Sequence, residues 1–145
     1  MLNYKVNEPI DADQFIDVLR RSTLGERRPI EDRTCMEGMV RHGNLTVSAW
    51  DGEKLVGIVR CLTDFNYICY LSELAVDRDW QRRGVGVELI NRAQEALGPR
   101  CTIRLISAPG AVAYYEKIGL DRNPQCFELP RGRRARHQLP CRSPS

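Results

Sequence analysis

No apolar run in this 145-residue chain approaches the ~20 residues of a membrane-spanning helix, which excludes helical membrane proteins. The opening Met1-Leu2-Asn3-Tyr4-Lys5 lacks the apolar stretch of a signal peptide, so a cytoplasmic rather than a secreted protein is expected. Cys-x-x-Cys pairs are missing, and the two histidines, His42 and His137, lie far apart in sequence. Nothing therefore has the spacing of a zinc site, and no metal is expected. The six cysteines (Cys35, Cys61, Cys69, Cys101, Cys126 and Cys141) are scattered, most of them in apolar runs, and read as buried free thiols rather than as a disulfide framework. No context around them matches a known nucleophile motif.

Acid is missing from the C-terminal stretch. Residues 131–145 hold five arginines and no acid, which leaves 17 basic against 19 acidic residues before them, so the net charge of +3 comes from the tail alone. Aromatic residues are also missing between those arginines, so base stacking has no platform there. The tail reads as a solvated, disordered end, and nucleic acid is not the expected partner. Against these absences stand 42% hydrophobic and 28% charged residues, a balance that fits one globular domain with a proper core over residues 1–130.

The chain alternates strand-like and helix-like runs. Tyr4-Lys5-Val6 reads as a first strand, Asp11 to Gln14 as a capped helix start, and Cys35, Met36, Met39 and Val40 repeat at helical spacing until Gly43. Met36 and Met39 are expected in the core. Leu45 to Trp50, Lys54 to Thr63 and Tyr67 to Val76 form a meander joined by Asp51-Gly52 and Asp64-Phe65-Asn66. Val85, Leu89, Ile90, Ala93 and Leu97 make an amphipathic helix that Gly98-Pro99 ends; the strand Thr102 to Ile106 follows, and the crossover implies parallel pairing. A short helix, Ala111 to Ile118, and a closing strand, Cys126 to Leu129, complete the order β, α, α, β, β, β, α, β, α, β.

Gln81-Arg82-Arg83-Gly84-Val85-Gly86 sits between the third strand of the meander and the following helix. Glycines there let backbone N–H groups at a helix N-terminus converge on phosphate oxygens, and Arg82 and Arg83 add charge. The stretch has neither the Gly-Lys-Ser/Thr ending of a nucleoside triphosphate loop nor the further glycine of a dinucleotide fingerprint. A pyrophosphate held by main-chain amides remains, with the rest of its ligand along the preceding strand.

Leu74-Ala75-Val76 followed by Gln81 to Gly86, together with Ala111-Val112-Ala113-Tyr114-Tyr115-Glu116-Lys117-Ile118-Gly119-Leu120, resembles the GNAT superfamily of acetyl-CoA-dependent N-acetyltransferases. The resemblance covers about Tyr4 to Leu129, and its specific motifs occupy Leu71 to Leu97 and Ala111 to Leu120. It implies a mixed α/β, three-layer fold whose sheet is mostly antiparallel, with about four helices and with strands four and five splayed to admit the cofactor. Three departures stand out. Ser107-Ala108-Pro109-Gly110 occupies the place where the family often has a cofactor-touching Asn, Leu120 replaces Phe, and the chain runs from Gln125–Leu129 into Arg131-Gly132-Arg133-Arg134 where most members have two closing strands.

Acetyl transfer needs a neutral amine, whose alkylammonium form has a pKa of ~10.4, so a base or desolvation must take its proton. Glu73 is the candidate base; the competing reading of the same residue is a surface carboxylate or a cross-strand ion pair. The resemblance places a carbonyl-stabilising backbone N–H at or next to Leu74 and matches Tyr115 to the general acid that protonates the leaving thiolate, whereas Tyr114 fits a packing role. It assigns acetyl-CoA, the co-substrate, to Leu74, Ala75, Val76, Gln81, Arg82, Arg83, Gly84, Val85, Gly86 and Val87. The implied reaction is direct transfer to a small-molecule or peptide amine, without metal; homodimers are common in families of this kind. The acceptor would lie among the Ser22 to Ile30 loop, the second helix, Phe65, Tyr67 and Tyr70. Arg27 and Arg28 on that loop suit an acceptor bearing a carboxylate, although paired arginines on a polar loop are usually solvated. Two other classes stay open: an acyl-CoA-binding sensor without turnover, and a nucleic-acid binder whose affinity through the tail falls with salt.

Overall fold

A computed structural model describes residues 1–138, so Cys141 and the last seven residues of the basic tail lie outside the described residues. The chain forms two compact units, the first Met1–Ala108 and the second beginning at Pro109.

The first unit is built on a five-stranded sheet of β1 (Asn3–Val6), β2 (Leu45–Asp51), β3 (Lys54–Thr63), β4 (Ile68–Val76) and β5 (Thr102–Arg104). The strands lie in sequence order, antiparallel except for the parallel β4–β5 pair. The parallel pair follows from α3 (Val85–Glu95), the crossover helix between its strands. The remaining helices of this unit are α1 (Ala12–Ser22) and α2 (Arg33–His42).

Helix α1 starts where the sequence places it. Asp11 accepts from the Gln14 N–H at 2.8 Å and Gln14 accepts from the Asp11 N–H at 3.0 Å, a reciprocal cap. Its apolar stripe, Phe15, Val18 and Leu19, is buried with Met36 of α2, Ile58 of β3 and Ala75 of β4. Each such side chain contributes roughly 1.5–3 kcal/mol by leaving water. Successive strand residues point to opposite faces. Ile58 accordingly meets α1 while Gly57 presses on α3, where an added Cβ would lie 3.2 Å from both Leu89 and Val85. Helices α1 and α2 therefore cover one face of the sheet and α3 the other.

An ion pair ties α1 to the end of β4. Arg21 donates to Asp77 and to the Leu55 carbonyl, and Asp77 accepts the Asp79 N–H at 2.9 Å. Burial pushes the Asp77 carboxyl up, but the Asp79 N–H and the Arg21 guanidinium outweigh it and hold the group below its ordinary range. A folded-state value below the unfolded one adds stability above about pH 4, lost as pH falls further. Asp77→Asn should accordingly flatten the acid side of the stability curve, read as unfolding free energy by denaturant titration from about pH 6 to pH 3. An unchanged slope would refute this role.

The second unit holds a 3₁₀ turn, Pro109–Ala111, and α4 (Val112–Lys117). Gly119, at φ 102°, turns the chain away, and Arg122 pairs with Glu116 at 2.5 Å. The closing strand expected at Cys126 to Leu129 does not form among the described residues. Asn123 instead accepts the Gln125 N–H at 2.9 Å, setting a turn, and Phe127 is 92% exposed. A strand needs a partner to satisfy its backbone and cover its apolar side chains, and none lies beside this segment among the described residues. The thiols also depart in part from expectation: Cys61 and Cys69 are buried, Cys101 is half-buried, and Cys35 and Cys126 are exposed. Burial is the main force raising the Cys61 and Cys69 thiols above their ordinary range, which leaves them unreactive.

Candidate active site

Strand β4 carries one side of the site because its two edges are treated differently. The parallel pairing with β5 involves only Ile68, Cys69 and Tyr70, so from Leu71 onward β4 has no strand beside it on that edge among the described residues. The Asp77 N–H bonds the Val56 carbonyl on the β3 side at 2.8 Å. By alternation, the N–H and C=O of Val76 and Leu74 point to the open edge, and Ala75 points its backbone to β3. The splayed edge expected at strands four and five is thus built by a β5 only three residues long.

The turn after β4 is shaped by backbone conformation. Arg82 (φ 64°) and Gly84 (φ 79°) are both left-handed, and Gln81 reaches back to donate to the Val76 carbonyl at 2.9 Å. Gly84 then caps α3 with no side-chain hydrogen bond, and the first intrahelical bond runs from the Glu88 N–H to the Gly84 carbonyl at 3.1 Å. The N–H groups of Val85, Gly86 and Val87 precede that bond, at the positive end of the helix dipole. Gly86 is buried within α3 with ordinary helical backbone, so of the two glycines only Gly84 supplies the tight turn. Arg83 stacks over Trp80 at 4.9 Å, while Gln81, Arg82 and Gly84 are exposed. Three convergent N–H groups beside two arginines suit a diphosphate.

Glu73 lies within β4, three residues before Val76, and is 1% exposed. Arg60, its cross-strand partner, donates to one carboxylate oxygen at 2.5 Å, and Arg28 donates to the other at 2.6 Å. Ser72 adds a hydroxyl bond at 2.9 Å. A β-bulge between Arg60 and Cys61, opposite Glu73 and Leu71, makes Ser72 the extra residue of β4 and brings its hydroxyl within 3.1 Å of Arg60. Arg60 is further fixed by the Met39 carbonyl at 3.0 Å and by Gly43, whose missing side chain makes room: a Cβ there would lie 2.9 Å from the Arg60 stem. The cross-strand ion pair is real, and it is buried.

Arg28 also donates to the Ser72 carbonyl at 2.7 Å, so the polar loop around the 3₁₀ turn Leu24–Arg27 is tied to β4. The sequence missed this bridge, because the 45 residues separating Arg28 from Glu73 carry no local signal. Phe65 and Tyr67, expected beside the acceptor, lie in the β3–β4 hairpin, where the Phe65 carbonyl takes the Gly98 N–H at 2.8 Å beyond the C-terminal end of α3. That is the opposite end of α3 from Gly84. A cavity of about 290 Å³ lined by Ile10, Val40, Gly43, Thr46 and Arg60 touches none of the residues assigned to the co-substrate.

In the second unit, Tyr115 is half-buried on α4 and meets Tyr114 edge to face at 5.3 Å. Tyr114, expected to be the packing tyrosine, is the more exposed of the two at 39%. Six residues of helix bury no side chain fully, so packing alone does not distinguish the pair.

Comparison with known proteins agrees with this architecture. No curated protein matches the chain. A GNAT family protein from Streptococcus pneumoniae TIGR4, SP0256, superposes with a TM-score of 0.72 at 19% identity, over 90% of this chain and 99% of that one. The aminoglycoside N-acetyltransferase AAC(6')-Iy in complex with CoA superposes with a TM-score of 0.68 at 13% identity, over 91% of this chain and 95% of that one. An aminoglycoside acetyltransferase from an uncultured soil metagenomic sample, meta-AAC0020, gives 0.63 at 19% identity, over 89% and 94%. The family model described as an acetyltransferase (GNAT) domain matches residues 26–127, well over half of the sequence and the whole path from the Arg28 loop through β4 and α3 to α4. With the splayed β4 edge and the uncapped N-terminus of α3 in place, the chain belongs to the GNAT acetyltransferases.

Proposed function

We propose that the protein transfers an acetyl group from acetyl-CoA to the nitrogen of a primary amine, in a ternary complex and without a metal. The observation that carries this reading is the uncapped N-terminus of α3 next to the open edge of β4, which offers N–H donors to a diphosphate and a strand edge to the arm beyond it. Acetyl-CoA supplies the activated thioester. Val85, Gly86 and Val87 hold the diphosphate through main-chain N–H groups, with Arg82 and Arg83 beside them and Gln81 bracing the turn. Leu74 and Val76 receive the thioester arm along the edge, with Ala75 between them. The Leu74 N–H steadies the negative charge that develops on the carbonyl oxygen as the amine nitrogen bonds to the carbonyl carbon. When the carbon–sulfur bond breaks, Tyr115 gives its phenolic proton to the sulfur.

Glu73 is the carboxylate offered for the amine proton, through a water. Its two guanidinium partners support a second role, in which it positions the Arg28 loop and bulk solvent takes the proton. A pH–rate profile of Glu73→Gln separates the two: the limb reporting a deprotonated base vanishes under the first and persists under the second. The amine acceptors of the aminoglycoside acetyltransferases with this fold support an amine here.

Calorimetric titration with CoA tests the binding half. The wild type should saturate, and Gly84→Val, which forces a β-branched residue to φ 79°, should weaken binding by about tenfold or more through the 1–3 kcal/mol cost of that conformation. Absence of heat or saturation in the wild type would falsify the proposal.

A further inference from the structure

The Glu73 cluster holds two guanidinium groups and one carboxylate, and neither arginine forms another ion pair among the described residues. One positive charge in this half-buried place is therefore left without a counter-ion. The two arginines differ in what they can reach. Arg60 is 6% exposed and closed in by Met39, Gly43 and Ser72, whereas the Arg28 side chain is 22% exposed.

Arg28 is also held by three hydrogen bonds. Its Nε bonds Glu73, one terminal nitrogen bonds the Ser72 carbonyl at 2.7 Å and the other bonds the Arg27 carbonyl at 2.9 Å. A guanidinium has five N–H donors, so each terminal nitrogen keeps one hydrogen beyond these contacts. A planar fork held in place by its own chain, with donors to spare and charge in excess, binds a carboxylate without first losing side-chain freedom. The Ser72 carbonyl that anchors it is on β4 just beyond the last residue paired with β5, four residues before Val76. Arg27, which shares the loop, is exposed and lacks this anchorage among the described residues.

We infer that Arg28 reads a carboxylate carried by the acceptor, so that the preferred substrates are amines bearing a carboxylate rather than simple or polycationic amines. This rests on the acetyltransferase reading above and narrows it. A polycation would face an uncompensated guanidinium beside Ser72 and Glu73 of β4, and an amino acid or a peptide terminus would neutralise it.

The experiment uses the full-length protein and amines in matched pairs, α-, β- and γ-amino acids each against the amino alcohol of the same length, with CoA release as the readout. The amino acid of at least one pair should be favoured in kcat/KM by about 10- to 100-fold, the scale of hydrogen bonds to a charged group. Arg28→Lys, which keeps the charge and loses the fork, should collapse that ratio. A second readout needs no turnover: the arginine Nε–H signal of the wild type that disappears in Arg28→Lys should shift saturably with acetate and stay still with acetamide. Amines acetylated with no preference for the carboxylate, or a signal that ignores acetate, would overturn the inference. A signal that responds to acetate while no amine is acetylated would sink the acetyltransferase reading and leave the anion site standing.

Discussion

Tyr115→Phe should lower kcat by about 10²- to 10⁴-fold, the usual worth of a positioned proton donor, while the protein stays folded. The substitution removes one oxygen and keeps the ring, so the edge-to-face contact with Tyr114 at 5.3 Å survives. At most the hydroxyl's hydrogen bonding is lost, on the order of 1 kcal/mol of stability. Tyr114→Phe is the matched control, because it makes the same chemical change at the neighbouring position and should leave turnover within a few-fold of wild type. Steady-state CoA release with both variants, alongside their thermal unfolding midpoints, gives the answer. A Tyr115→Phe enzyme that turns over at the wild-type rate would remove this residue from the acid role while leaving the CoA-binding half of the proposal untouched.

Glu73→Ala should be the most destabilising single change at the site. Breaking a buried ion pair from one side leaves the surviving charge without compensation, typically about 3–5 kcal/mol. Here the deletion strands two guanidinium groups at once, one at 2.5 Å and one at 2.6 Å from the lost oxygens. In a chain of this size that corresponds to a melting point lower by roughly 10 °C or more. Glu73→Gln keeps an acceptor oxygen and the side-chain volume, so it should lose less, and its kinetics remain measurable. The two variants together separate architecture from chemistry: Glu73→Ala reads the cluster in an unfolding titration, and Glu73→Gln reads the proton in a pH profile. If Glu73→Ala cost under about 1 kcal/mol, the cluster would not be holding the Arg28 loop against β4.

The same cluster explains how the fold serves the site. Glu73 gathers β3 through Arg60, the end of α2 through the Met39 carbonyl, and the loop after α1 through Arg28. These attachments converge on Ser72, where the bulge falls and where β5 has just ended. An open strand edge is a liability for a soluble sheet unless something uses or covers it. The acetyl donor would use the upper part of this edge, and Arg28 covers the lower.

Local chemistry made much of this legible in advance. Asp11 and Gln14 cap a helix within four residues of each other, the β2–β3 and β3–β4 hairpins close through short turns, and Gly84 marks the turn into α3. Each signal is short-range, so composition and spacing carry it. The closing strand at Cys126 to Leu129 failed for the complementary reason: its apolar residues suit a strand locally, but a strand exists only if another strand is beside it, and pairing is not a local property. Burial of the cysteines was misjudged in the same way, since Cys35 is helical yet exposed.

What the sequence determined alone is the order of the elements as far as α4, the glycine turn into α3 and the family, because these are written in neighbouring residues. What only the tertiary structure decided is the fate of the charges. Arg28 and Arg27 are adjacent and chemically identical, yet one is pinned to a buried carboxylate 45 residues away and the other is exposed. Electrostatic and hydrogen-bonding partners are chosen by distance in space, and chain folding sets that distance without regard to separation in sequence.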